Sequence, residues 1–190
     1  SRTAEAARML GADGALGELG ALHSGYPVEP GQTVHEAIAA TGLPAKLLER
    51  EPGLEPHPVS AMGREGSHVL RGRASDDAAD WVHVTSNGRL RLADNGRIGP
   101  EDTRVFHLLP AEASKARAVA VDIAERGGDP AACLSVGDSR EDMEIARSVG
   151  TTALVANGRD AEPELAGLAS FVTSAGHGAG VLEAVERWLG

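Results

Sequence analysis

Leu134-Ser135-Val136-Gly137-Asp138-Ser139-Arg140-Glu141-Asp142-Met143 is the stretch that decides how this chain is read. An apolar run (Cys133, Leu134, Val136) stops at a glycine, and two carboxylates follow, four residues apart, with a hydroxyl between them. The run predicts a buried strand. The second carboxylate falls in the first turn of a helix, where i and i+4 spacing puts Asp138 and Asp142 on one side. In an open parallel sheet, ligands bind at the carboxyl ends of the strands. Two acids there suit Mg²⁺, which takes a few carboxylates together with waters and phosphate oxygens. The same acids are also explained as a helix cap that complements the dipole.

Working outward, the second half alternates helix and strand. Glu112 to Arg126 predicts a helix, with Ala116, Val119, Ala120 and Ile123 as its apolar stripe and Gly127-Gly128 as its stop. Strands are predicted at Ala132 to Val136, Thr152 to Ala156 and Ala169 to Thr173. Helices are predicted at Arg140 to Ser148, Glu162 to Leu168 and Val181 to Leu189. Strands at this spacing with helices between them form parallel βαβ units, hence a Rossmann-like sheet.

The first half reads as a small α+β module. Helices are expected at Arg2 to Leu10, Gln32 to Ala40, Ala45 to Arg50 and Asp76 to Trp81, with a Pro-rich stretch at Pro52, Pro56 and Pro58. Strands are expected at Ser67 to Arg73, at Arg89 to Ala93 and at Arg104 to Leu109. Asp94-Asn95-Gly96 reads as a tight turn closing the second of these.

Composition narrows the function classes. In 190 residues, 42% hydrophobic and 24% charged, there are only two Trp, two Phe and one Tyr, so small aliphatics build the core. A net charge of −10 argues against a nucleic-acid backbone or an anionic membrane as main partner. A phosphate ligand remains compatible, because a bound metal and one lysine reverse the local sign. Cys133 is the single cysteine, so no disulfide forms within the chain, which fits a reducing cytoplasm. The seven histidines show no HxH or HExxH spacing, which argues against zinc. Gly176-His177-Gly178-Ala179-Gly180 imitates a dinucleotide loop, but no strand follows its helix and no acid lies about 20 residues on.

Gly137 to Met143, preceded by its apolar strand, resembles the fourth motif of the haloacid dehalogenase superfamily of phosphatases. Lys115, in Ala113-Ser114-Lys115-Ala116-Arg117-Ala118, matches that family's third-motif lysine at the start of a helix upstream. Val155-Ala156-Asn157-Gly158 is similar to its segment after the next strand. Ala169-Ser170-Phe171-Val172-Thr173 and Gly180-Val181-Leu182 resemble the tail of its sugar-phosphatase branch. Ser1-Arg2-Thr3 and Glu18-Leu19-Gly20-Ala21 resemble its second motif and the turn after it, as in mannosyl-phosphoglycerate and phosphoglycolate phosphatases. The resemblance implies an α/β fold: a Rossmann-like core formed by residues 1–24 and 110–190, with an α+β cap inserted at 25–109.

It also implies roles. Lys115 would be catalytic, neutralising phosphate and the charge of the transferring group; otherwise it is a solvated lysine at an electrostatically poor place for a cation. Asp138 and Asp142 would hold Mg²⁺ or orient its waters. Ser1 and Asn157 are the further phosphate-binding candidates, although Asn157-Gly158 also reads as a plain turn. His57, His68, Arg71 and Arg73 are cap candidates for substrate contact.

The family's aspartate nucleophile, carried in Asp-x-Asp-Gly, has no counterpart here: Asp13-Gly14 follows a helix pattern, and Asp76-Asp77 precedes one inside the module. Glu141 also stands where relatives usually carry Asn. The reading is therefore a phosphatase that lacks its first strand and nucleophile in this chain, hydrolysing a small phosphorylated metabolite of the sugar phosphate or phosphoglycerate type. A phosphomutase of the same superfamily, or a non-catalytic phosphate- or metal-binding relative, is the alternative.

Overall fold

Short runs rich in Leu and Val build the first sheet. The computed structural model describes residues 9, 12–58, 63–98 and 103–190, and the chain divides into two compact units between Ala113 and Ser114. The first unit holds four antiparallel strands, β1 (Leu54–Pro56), β2 (His68–Gly72), β3 (Leu90–Arg97) and β4 (Arg104–Pro110), in the order β1-β2-β4-β3. Leu70 and Leu92 lie opposite Phe106 and Leu108, and this face packs on helices α1 (Val34–Ala40), α2 (Leu43–Arg50) and α3 (Ala78–Thr85) through Ile38, Leu47 and Val82. The opposite face carries Val69, His107, Ala93 and Leu109. Ala21, from a 3₁₀ stretch Glu18–His23, packs there against Ala93 and Leu109.

Local chemistry sets the helix boundaries. Thr33 and Glu36 close a capping box at the start of α1, with Thr33 Oγ1 accepting from Glu36 N at 3.1 Å and Glu36 Oε2 accepting from Thr33 N at 2.8 Å. The carboxylate of Glu18 accepts from Glu65 N, Gly66 N and Ser67 Oγ, which fixes the entry to β2.

The second unit is a parallel sheet of β5 (Leu134–Gly137), β6 (Thr151–Leu154) and β7 (Phe171–Val172), in the order β5-β6-β7. Its helices are α4 (Lys115–Glu125), α5 (Arg140–Met143), α6 (Ala156–Ala161) and α7 (His177–Leu189). Met143, Leu154 and Leu165 form its buried cluster. The expected α/β architecture, a parallel sheet together with an α+β unit, is observed.

Several element boundaries differ from expectation. Asp94-Asn95-Gly96 makes no hairpin turn: β3 runs through it to Arg97 with a bulge, and the Asp94 side chain accepts from Gly96 N at 2.9 Å. Asn157-Gly158 is no turn either, because both lie in α6. The helix after Asp138 ends at Met143 and tightens into a 3₁₀ stretch, Glu144–Arg147. Cys133 precedes β5 and is half-buried, its thiol donating to Asp129 O at 3.3 Å. The Pro-rich stretch contributes an unexpected short strand, β1. The helix expected at Arg2 to Leu10 lies outside the described residues apart from Met9.

Candidate active site

Three parallel strands end side by side, and the polar residues beyond their carboxyl ends form the candidate site. After β5 the chain gives Asp138 and Ser139, the latter capping α5 by accepting from Asp142 N at 3.3 Å. After β6 it enters α6, whose second residue is Asn157. After β7 a loop leads to His177, the first residue of α7.

Lys115 opens α4, whose N-cap Ser114 accepts from Arg117 N at 3.1 Å. Its Nζ lies 2.7 Å from Asp142 Oδ1 and 3.8 Å from Glu141 Oε2. Asp142 Oδ2 accepts from Ser139 Oγ at 2.7 Å and from Asp138 N at 3.3 Å. Burial pushes the Asp142 carboxyl up, but the hydrogen bonds from Lys115 and Ser139 and the charge of Lys115 outweigh it, so the group is held below its ordinary value. Asp142 thus braces the turn that leads into α5 and is the partner of Lys115.

Asp138 is exposed. Its Oδ2 accepts from Asn157 Nδ2 at 3.0 Å, while its Oδ1 has no hydrogen-bonding partner among the described residues. Among those residues, no group of three His, Cys, Asp or Glu side chains converges on a point. Asp138, with one oxygen uncommitted, is the residue here that could hold a cation completing its shell with waters and phosphate oxygens.

Two glycines let the backbones close on one another. A Cβ on Gly137 would collide with the Cβ of Asp142, and one on Gly158 would lie 2.6 Å from Asp138 O. Neither residue stands out by spacing alone. His177, dismissed as part of a dinucleotide-loop imitation, donates its backbone N–H to Asn157 Oδ1 at 2.6 Å. Its sequence signal was a Gly-His-Gly run opening a helix after the third strand.

Lys115, Asp138, Asp142 and Asn157 are thus brought together, and Ser1 lies outside the described residues. In the other unit, His68 stacks on His35 with ring centroids 3.8 Å apart, and Arg71 is ion-paired with Glu55 at 2.6 Å. No helix among the described residues is long and apolar enough to cross a membrane.

No family model matches the chain. It is 37% identical over 85 residues to the phosphoglycolate phosphatase of Methanothermobacter thermautotrophicus, a stretch covering 45% of this chain and 37% of that protein. The chain thus spans well under half the length of this curated relative. Sucrose-phosphatase from Synechocystis, solved with sucrose and phosphate, superposes with a TM-score of 0.59 at 15% identity, over 78% of this chain and 62% of that one. A haloacid dehalogenase-like hydrolase from Bacteroides thetaiotaomicron gives a TM-score of 0.52 at 21% identity, over 65% and 44%. At these identities the solved structures share the fold. The chain is thus similar in sequence to a phosphoglycolate phosphatase and in fold to haloacid dehalogenase-like hydrolases, as the resemblance implied.

Proposed function

We infer that this chain is part of a haloacid dehalogenase-type phosphatase that hydrolyses a small phosphomonoester, of the phosphoglycolate or sugar phosphate kind, with Mg²⁺ as cofactor. The observation that carries the reading is the 2.7 Å contact between Lys115 and Asp142 beside an uncommitted carboxylate oxygen of Asp138, at the carboxyl ends of parallel strands. Such a lysine is aimed where a phosphoryl group gathers negative charge.

On this reading residues 25–109 act as the cap, and 1–24 with 110–190 belong to the core. Asp138 would hold the cation, whose chemistry when bound is to neutralise phosphate oxygens. Asp142, engaged by Lys115 and Ser139, aims the ammonium rather than binding metal. Lys115 binds phosphate and steadies the charge that builds on transfer. The attacking aspartate and the general acid–base belong to an Asp-x-Asp-Gly that these 190 residues do not contain. The single cysteine and the small phosphorylated substrate fit a cytoplasmic enzyme.

The test compares the 190-residue chain with the protein expressed from its full reading frame, using p-nitrophenyl phosphate and phosphoglycolate. The full protein is expected to turn over only with Mg²⁺, and Lys115→Met to lower kcat/KM by about 10²–10³-fold, the scale of losing one charge-stabilising donor. The shorter chain is expected to stay at background. Unchanged kcat/KM in Lys115→Met, or Mg²⁺-dependent turnover by the shorter chain, would overturn the assignment.

A further inference from the structure

We propose that Asn157 is a positioning residue that fixes the carboxylate of Asp138 and ties it to the first turn of α7. The inference rests on the reading of Asp138 as the cation's ligand, and it goes beyond that reading by naming what aims the ligand.

The amide of Asn157 is committed at both ends. His177 N–H can only donate, so the atom 2.6 Å from it is Oδ1. That leaves Nδ2 to donate to Asp138 Oδ2 at 3.0 Å. The flipped amide would set NH₂ against N–H and oxygen against carboxylate, so the partners settle the orientation. With one oxygen of the exposed Asp138 held by an amide donor, the other keeps no hydrogen-bonding partner among the described residues.

The support behind Asn157 is rigid. Asn157 sits in the first turn of α6, and the next residue, Gly158, lies so close to Asp138 that a Cβ there would come within 2.7 Å of Asp138 Cα. Ala156 N donates to Ala175 O at 3.2 Å, and Thr173 Oγ1 donates to the same carbonyl at 2.7 Å. The carboxylate of Glu183 accepts from Ser174 N, Ser174 Oγ and Ala175 N. His177 itself holds φ 53°, a left-handed conformation that costs a non-glycine residue energy and persists only where its surroundings fix it. These contacts fix the loop from Thr173 to His177, and that loop presents the N–H on which the Asn157 amide hangs. Asn157 therefore orients Asp138 with one Nδ2 hydrogen and is itself anchored through Oδ1, its second Nδ2 hydrogen remaining for another acceptor.

Titration of the ¹⁵N-labelled chain with Mg²⁺ alone tests this. The side-chain amide of Asn157 and the backbone amide of His177 are expected to shift with the same midpoint as the Asp138 amide. Asn157→Ala is expected to weaken Mg²⁺ binding about 10-fold or more, the usual cost of removing a group that orients a metal ligand. A shift at Asp138 with none at Asn157 or His177 would overturn the inference alone, and so would wild-type Mg²⁺ affinity in a folded Asn157→Ala. No shift at Asp138 would remove the metal reading and this inference with it. The titration of the unsubstituted chain decides the matter even if the variant fails to fold.

Discussion

Lys115 stands at a helix start, where the dipole disfavours a cation, and it is held there by Asp142 at 2.7 Å and Glu141 at 3.8 Å. Because Asp142 is held below its ordinary 3.8, the pair's contribution is complete above the ordinary value and fades as pH falls through the lowered one. Lys115→Met should therefore raise the Asp142 carboxyl titration, followed by ¹³C NMR, and cost roughly 1–3 kcal/mol at neutral pH, the scale of stranding a half-buried acceptor. His107 on β4 is a second residue with a pH signature. It is buried, its Nδ1 has no partner among the described residues, and burial first, then the nearby Arg64, lower its value from 6.5 to about 4. Between those values the unfolded chain takes up a proton that the fold refuses, so stability falls as pH drops, by up to roughly 3 kcal/mol. Urea midpoints at about pH 7.5 and about pH 5 should differ less in His107→Leu than in the parent. An equal difference in both would assign the pH dependence elsewhere.

Among the elements, β5 is the one whose environment departs most from a core strand. It pairs with β6 only, among the described residues, and all four of its residues are half-buried, whereas Ala153 and Leu154 on β6 are buried. Cys133 O and Gly137 O accept from Thr151 N and Val155 N, so by alternation the amides of Leu134 and Val136 point away from β6. Amide exchange should accordingly be much faster at Val136 than at Ala153, which has strands on both sides. Equal protection would mean that the edge is covered. The same contrast explains what the sequence made legible. The parallel half could be read because its strands are short apolar runs, and the Asp138–Asp142 pair because its spacing follows strand–helix geometry, whereas Lys115 was picked out by the family resemblance alone. Asn95-Gly96 misled because a bulge needs the same residues as a turn, and Gly96 takes its φ of 90° inside the strand. Asn157 and His177 could not be matched, because their contact spans 20 residues and runs through a backbone N–H that no residue type advertises.

For the molecule as a whole, charge and pH act together. The net charge of −10 near neutrality vanishes at a pI of about 5.1, within the window where His107 destabilises the fold, and the edge of β5, unpaired among the described residues, then meets no repulsion. Light scattering against pH should peak close to pH 5, and His107→Leu should lower the peak. If the peak is unchanged, charge alone governs it. The glycines give the other molecule-wide map. Gly137, Gly150, Gly158 and Gly180 each face an atom that a methyl group would strike, whereas Gly167 and Gly178 face open space. Glycine-to-alanine replacement across the second unit should divide accordingly, with losses of about 1–3 kcal/mol at the first group and little at the second. In the currency of inheritance, the second unit is recorded partly as omissions. At these four positions a lineage has almost no letter to move to, so selection will register there as silence in residues that perform no chemistry.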